Sequence, residues 1–208
     1  MVTRVDPEVE ARLDAALRKA TAYFMGTADV QAAALALAAR LDEEGVPYVI
    51  AGAMALAAHG YLRVTEGVDV LLTRDGLERF KRRYVGLGYV EQFAGSKGLR
   101  DTERGVKIDV LLAGDFPGDG KPKPVAFPDP AQVALRGERY AVLPLERLVE
   151  LKLASGMTAP HRLRDLADVL ELIRARGLPR ELAARLDPYV QAKFDELWVA
   201  AQGSDPPG

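Results

Sequence analysis

The sequence predicts an α/β (α+β) fold in which helices pack on a mixed sheet, with N-terminal helices before the core and a helical region after it. Three observations predict it. The run from Pro47 to Thr73 reads as strand, glycine turn, short helix, loop and second strand. Forty residues after VDVLL at 68–72 comes IDVLL at 108–112, a near-duplicate strand that again sets one aspartate among apolar neighbours. From Pro144 onward the apolar spacing changes from alternation to the three-and-four pattern of helices. The chain divides accordingly into N-terminal helices (1–46), a core (47–143), a C-terminal helical region (144–202) and a disordered tail (203–208).

Each element has a local reason. Pro7 opens a helix expected to run to about Phe24, and an alanine-rich helix follows from about Ala28 to Glu44, stopped by Gly45 and Pro47. Tyr48, Val49 and Ile50 form the first strand, Gly52 permits a sharp exit, and Ala53 to Ala58 are strong helix formers ending before Gly60. In the second strand Val68, Val70 and Leu72 share one face, and Gly67, Asp69 and Leu71 the other. Asp75 is the expected N-cap of a helix with Leu77, Phe80, Tyr84 and Leu87 inward and Gly88 as its stop. Tyr89 to Phe93 and Gly98 to Thr102 make a strand pair leading to the strand of Asp109. The Pro- and Gly-rich stretch between Ala113 and Arg136 reads as a long loop or lid, from which Lys121 and Lys123 either reach a phosphate or stay solvated. Arg139 to Leu143 is a further strand. Pro144 then opens a helix that buries Leu145, Leu148, Val149, Leu151 and Leu153 and leaves Lys152 on another face. After a break at Met157 to Pro160, a helix buries Leu163, Leu166, Val169, Leu170 and Ile173, with Arg162, Arg164, Asp165 and Asp168 as surface ion pairs. Two short helices, around Arg180 to Leu186 and Asp187 to Ala201, complete the region.

Composition narrows the function classes. With 28 Lys plus Arg against 30 Asp plus Glu, the formal net charge of −2 gives no bulk drive to wrap nucleic acid. The absence of Cys removes disulfides, thiolate nucleophiles and Cys-based zinc sites, and fits a cytoplasmic protein. No apolar run is long enough to span a membrane, and the charged start MVTRVDPEVEARLD is unlike a signal peptide. The two histidines, His59 and His161, are far apart, and no G-x-x-x-x-G-K-[ST] phosphate loop occurs.

The chemistry therefore rests on Asp69 and Asp109. A carboxylate buried without a partner costs several kcal/mol or takes up a proton, so two of them in apolar strands call for cations. Neighbouring strands with both acids on one face would hold a divalent ion, and hard oxygen donors suit Mg²⁺ or Mn²⁺. The alternative is that each aspartate pairs with a basic neighbour or sits at a wet strand end.

Taken together, AGAMALAAHG, RVTEGVDVLLT, VKIDVLL and LVELKLASGM followed by HRLRDLADVLELI resemble the nucleotidyltransferase fold superfamily, in particular small bacterial members found near toxin–antitoxin and phage-defence systems. The likeness covers about Tyr48 to Arg174. It implies a nucleotidyltransferase-like mixed sheet and a metal-dependent transfer of a nucleotidyl group from a nucleoside triphosphate to a protein or RNA hydroxyl. It implies Asp69 and Asp109 as catalytic and metal-binding acids for Mg²⁺ or Mn²⁺, and Gly52, Ala53, Arg63, Thr65 and Lys152 as nucleotide-binding residues. A cognate toxin or antitoxin is an implied partner. Where the family carries its first acid, two residues before Asp69, this chain has Gly67, which argues for weak or absent activity and for a catalytically degenerate binding module as the alternative. Glu66, next door, is aimed by strand alternation at the opposite face unless a bulge turns it.

Overall fold

The computed structural model describes residues 29–137 and 139–203. The helix expected from Pro7 to Phe24, and the expected tail beyond Gly203, lie outside the described residues. Seven strands, β1 (Tyr48–Ile50), β2 (Gly67–Leu72), β3 (Tyr89–Glu91), β4 (Leu99–Asp101), β5 (Lys107–Leu112), β6 (Leu135–Arg136) and β7 (Ala141–Val142), form one sheet in the order β3-β4-β5-β2-β1-β7-β6. The helices are α1 (29–43), α2 (Gly52–Ala58), α3 (Arg74–Tyr84), α4 (Pro130–Val133), α5 (Leu145–Thr158), α6 (Leu163–Arg176) and α7 (Pro188–Gln202). The sheet is mixed: β2 with β5 and β1 with β7 run parallel, and the other neighbours are antiparallel. This is the α/β class that the strand and helix pattern predicts.

The site is positioned by the middle of the sheet. β2 and β5 pair in parallel over all six residues, from Gly67 opposite Lys107 to Leu72 opposite Leu112. Val68, Val70, Leu72, Ile108, Val110 and Leu112 are buried in the same core cluster as α1 and α3, each such side chain contributing about 1.5–3 kcal/mol when fully buried. Period-two alternation then sends Gly67, Asp69, Lys107 and Asp109 to the opposite face. Helix α5 packs with α2, α6 and α7, so the C-terminal helices close over the Asp69 side of the sheet rather than standing apart.

Several boundaries differ from the expectation. Helix α3 is capped by Thr73, whose hydroxyl accepts the Gly76 N–H at 3.0 Å, and not by Asp75, which lies within the first turn. It ends at Tyr84, so Leu87 falls beyond it and is 64% exposed instead of inward. The Pro/Gly stretch is not a plain loop: it contains α4, capped by Asp129, and β6, which forms a hairpin with β7. At α6 a 3-10 turn, Pro160–Arg162, precedes the helix, and Leu163 sits at its exposed start. Leu172, not singled out from the pattern, is buried there with Val169 and Ile173.

Candidate functional site

Asp69 and Asp109 are direct register partners on adjacent parallel strands and project to one face, so two carboxylates meet there by construction. Gly52 provides the room. It adopts φ +56°, a conformation that glycine tolerates without steric cost, and a Cβ built on it would meet Asp69 Oδ2 at 1.9 Å and Cγ at 2.6 Å. The glycine turn after β1 is thus the floor on which the Asp69 carboxylate lies. The turn is fixed from below by the Ala51 N–H, which donates to the Asp69 carbonyl at 2.9 Å. Ala53, next in α2, is buried and supplies only its small side chain to this packing.

The two acids differ in their surroundings. Asp109 is 45% exposed and accepts a bond from Lys107 Nζ at 2.8 Å, so the alternative of a basic partner is realised for this one acid. No described residue makes an ion pair with Asp69. Its carboxyl is pushed above the usual aspartate range, first by burial and second by the negative charge of Asp109, against the opposing pull of Lys152, Arg63 and Arg162. A carboxyl whose pKa is raised by folding binds its proton more tightly in the folded state. Its stabilising contribution is therefore complete below the ordinary aspartate value of about 3.9 and is lost as pH rises through the raised value. Asp69→Asn is accordingly expected to raise stability at neutral pH and to flatten this part of the pH dependence. Urea unfolding of both proteins across the acidic to neutral range checks it.

Two spaces open on either side of Asp69. A cavity of about 120 Å³ is bounded by Gly52, Asp69, Arg63, Lys152, Ser155 and Arg162, with Pro117, Gly118 and Phe127 from the Pro/Gly segment as its wall. A cleft of about 430 Å³ runs over Asp69 and Asp109 to Gly67, Lys107, Thr65, Glu66 and Arg100. The Pro/Gly segment is packed down rather than poised as a lid: a Cβ on Gly118 would meet Thr158 Oγ1 at 2.2 Å and the Ser155 carbonyl at 2.8 Å. Lys123 is turned back into that segment, donating to the Pro117 carbonyl and to Asp119, both at 2.7 Å.

The remaining sequence candidates separate into roles. Lys152 is not on a wet helix face; it is buried and donates to Asp165 at 2.9 Å and to Asp168 at 2.7 Å. Asp165 and Asp168 are in turn no surface pairs. Asp168 is buried, Asp165 also accepts from Ser155 Oγ at 2.7 Å, and Lys152 together with Asp165's other neighbours holds the Asp165 carboxyl below the usual range despite its burial. Arg63 Nε lies 2.9 Å from Asp168 Oδ1 without the alignment of a hydrogen bond, so it is held by charge more than by geometry. Thr65 clamps the entry to β2, its hydroxyl donating to the Gly67 carbonyl at 2.9 Å and accepting the Gly67 N–H at 3.3 Å. His59 is a structural tie, with Nε2 2.7 Å from the Leu143 carbonyl. Arg162, expected in a surface ion pair, lines the cavity beside Asp69, and Lys107, which the sequence pattern did not single out, lines the cleft beside Asp109. Alternation alone places Lys107 on the face of Asp109, and that signal was readable.

A divalent cation fits the pair in part. Asp69 and Asp109 give two hard oxygen donors side by side, and burial together with their mutual repulsion, which both push the Asp69 carboxyl up, is what a cation would offset. Among the described residues no group of three or more acidic or histidine side chains comes together, so the donor set suits one ion and not two. Gly67, two residues before Asp69 on the same face, is closed to a side chain. A Cβ on Gly67 would meet the Lys107 carbonyl at 2.8 Å, so an acid there requires β2 to shift against β5.

No protein-family model and no curated protein matches the chain. Among solved structures it is similar to ANT(2")-Ia in complex with adenylyl-2"-tobramycin, at 13% identity over 79% of this chain and 84% of that chain, with a TM-score of 0.37. No helix among the described residues is long and apolar enough to cross a membrane. The support for the fold class lies in the mixed sheet itself, with β2 and β5 parallel and in register at its centre.

Proposed function

We propose that the protein binds a nucleoside triphosphate over the Asp69–Asp109 face and transfers its nucleotidyl group to a hydroxyl of a protein or RNA acceptor. The observation that carries this reading is the register: Asp69 opposite Asp109 on parallel strands, above the positive-φ turn at Gly52. Asp69 and Asp109 would hold one Mg²⁺ or Mn²⁺, which when bound neutralises phosphate charge. Asp109, whose side chain is 45% exposed, would take the proton as the acceptor oxygen attacks the α-phosphorus. The bond from that phosphorus to the bridging oxygen breaks, and pyrophosphate leaves. Arg162, exposed at the mouth of the cavity beside Asp69, is placed to meet phosphate, whereas Arg63 and Lys152 are already charge-matched by Asp165 and Asp168 and act mainly by shaping the wall.

A second reading is favoured by Gly67 and Lys107: nucleotide binding with the transfer step lost, in a module that engages a partner such as a cognate toxin or antitoxin. The acid-free position and the lysine already on Asp109 both reduce the capacity to hold the metal that would neutralise charge on a transferring nucleotidyl group. Incubation of the purified protein with extract, α-labelled nucleoside triphosphates and Mn²⁺ separates the two. Transfer predicts a labelled acceptor that disappears with Asp69→Ala by at least about a hundredfold. Nucleotide-induced stabilisation without label supports the second reading, and neither label nor stabilisation rejects both.

A further inference from the structure

On the site face β2 and β5 present a square of four positions: Gly67 beside Lys107, and Asp69 beside Asp109. One corner is empty by composition, since Gly67 has no side chain, and it is kept empty by the Lys107 carbonyl, 2.8 Å from any Cβ placed there. No group from β2 therefore contests the space over which the Lys107 side chain extends. That side chain runs two residues along its own strand and sets its ammonium 2.8 Å from Asp109 Oδ2, inside the cleft that also exposes Asp69. Arg100, the other cation lining this cleft, is turned away and donates to the Gly105 carbonyl at 2.6 Å. Lys107 is thus the ammonium in direct contact with the acidic pair.

We propose that Lys107 is a tethered monovalent cation that competes with the divalent ion for Asp109, and so sets the concentration at which this site takes up metal. The inference rests on the reading of Asp69 and Asp109 as an ion-binding pair. A divalent ion shared by both acids would have to share the Asp109 carboxylate with the lysine, which holds its Oδ2. On its arrival the ammonium either leaves or remains as a like charge within a few ångströms. The pair is weak enough to be displaced: Lys107 is 49% exposed and Asp109 45%, the regime in which ion pairs contribute little and are screened by salt. Lys107 therefore tunes the affinity without blocking the site.

The test is Mn²⁺ titration of the full chain, followed by loss of the free-ion paramagnetic resonance signal, so that no turnover is involved. Lys107→Met keeps the length of the side chain and removes the charge; it is expected to bind Mn²⁺ at least about fivefold more tightly than wild type. Lys107→Arg keeps the charge and should stay within about twofold of wild type. Asp109→Asn should abolish binding in both the wild-type and the Lys107→Met backgrounds. Equal or weaker binding by Lys107→Met, with Asp109→Asn still abolishing it, overturns the competition while leaving the ion-binding pair in place. Absence of Mn²⁺ binding in every variant, with circular dichroism unchanged, overturns both the pair and the competition.

Discussion

Asp168→Ala is expected to lower the unfolding free energy by about 3–5 kcal/mol, the loss that follows when one partner of a buried ion cluster is removed. The Asp168 side chain is 3% exposed and faces two cations from different parts of the chain, Lys152 of α5 at 2.7 Å and Arg63 of the α2–β2 connection at 2.9 Å. Deletion of its carboxylate leaves Arg63 without this partner and Lys152 with Asp165 alone, both where water cannot fully repay the charge. The cluster also joins α6 to α5 and to the segment entering β2, so its loss loosens the wall beside Asp69. Arg180→Ala provides the contrast. Its pair with Asp195 is 56% and 39% exposed, and its removal should cost no more than about 1 kcal/mol. Urea unfolding monitored through Trp198 measures both, and an Asp168→Ala cost within 1 kcal/mol of the Arg180→Ala cost contradicts the assignment.

Gly52→Ala is expected to remove ion and nucleotide binding outright while lowering stability by about 1–2 kcal/mol through backbone conformation alone. The conformational part comes from φ +56°, where any Cβ crowds its own carbonyl. The functional part comes from Asp69, because the new methyl would occupy the volume of Oδ2 and displace the carboxylate from its present position. Gly45→Ala is the control. It has a comparable φ of +61° but nothing within 4 Å of a new Cβ, so it should pay the same conformational cost and leave Mn²⁺ binding unchanged. Calorimetric titration with Mn²⁺ and thermal unfolding of both variants separate the two contributions. Retention of binding by Gly52→Ala would show that the glycine serves the turn and not the carboxylate.

The parts of the site legible in the sequence are those set by short-range geometry. The near-duplicate strands VDVLL and IDVLL, with period-two alternation, place Asp69 and Asp109 on a common face once β2 and β5 are neighbours. The same rule places Lys107 beside Asp109. What was not legible depends on packing partners distant in sequence. Helix α5 is buried from Leu148 to Gly156 because α2, α6 and α7 surround it, so its apolar stripe does not reveal that Lys152 is inside. Asp165 and Asp168 stand at i, i+3 and i, i+4 from Arg162 and Arg164, the spacings of solvated ion pairs, and only the arrival of Lys152 and Arg63 makes them an internal counter-charge. The helix start at Thr73 instead of Asp75 reflects competition between two capping residues two positions apart, decided by where β2 ends. Strand β7 falls within the stretch Arg139 to Leu143 that reads as a strand, but its hairpin partner β6 closes a segment whose composition favours turns, and two residues carry no periodic signal.

One ion shared by side chains from β2 and β5 is the centre of the proposed chemistry. Crystals of the protein soaked in MnCl₂, with anomalous differences collected at the manganese edge, address this directly. The predicted result is a single peak within coordination distance of carboxylate oxygens from both Asp69 and Asp109, absent from crystals of Asp69→Asn. A peak bound by only one of the two acids, or an empty face with Lys107 still seated on Asp109 at saturating Mn²⁺, would contradict it.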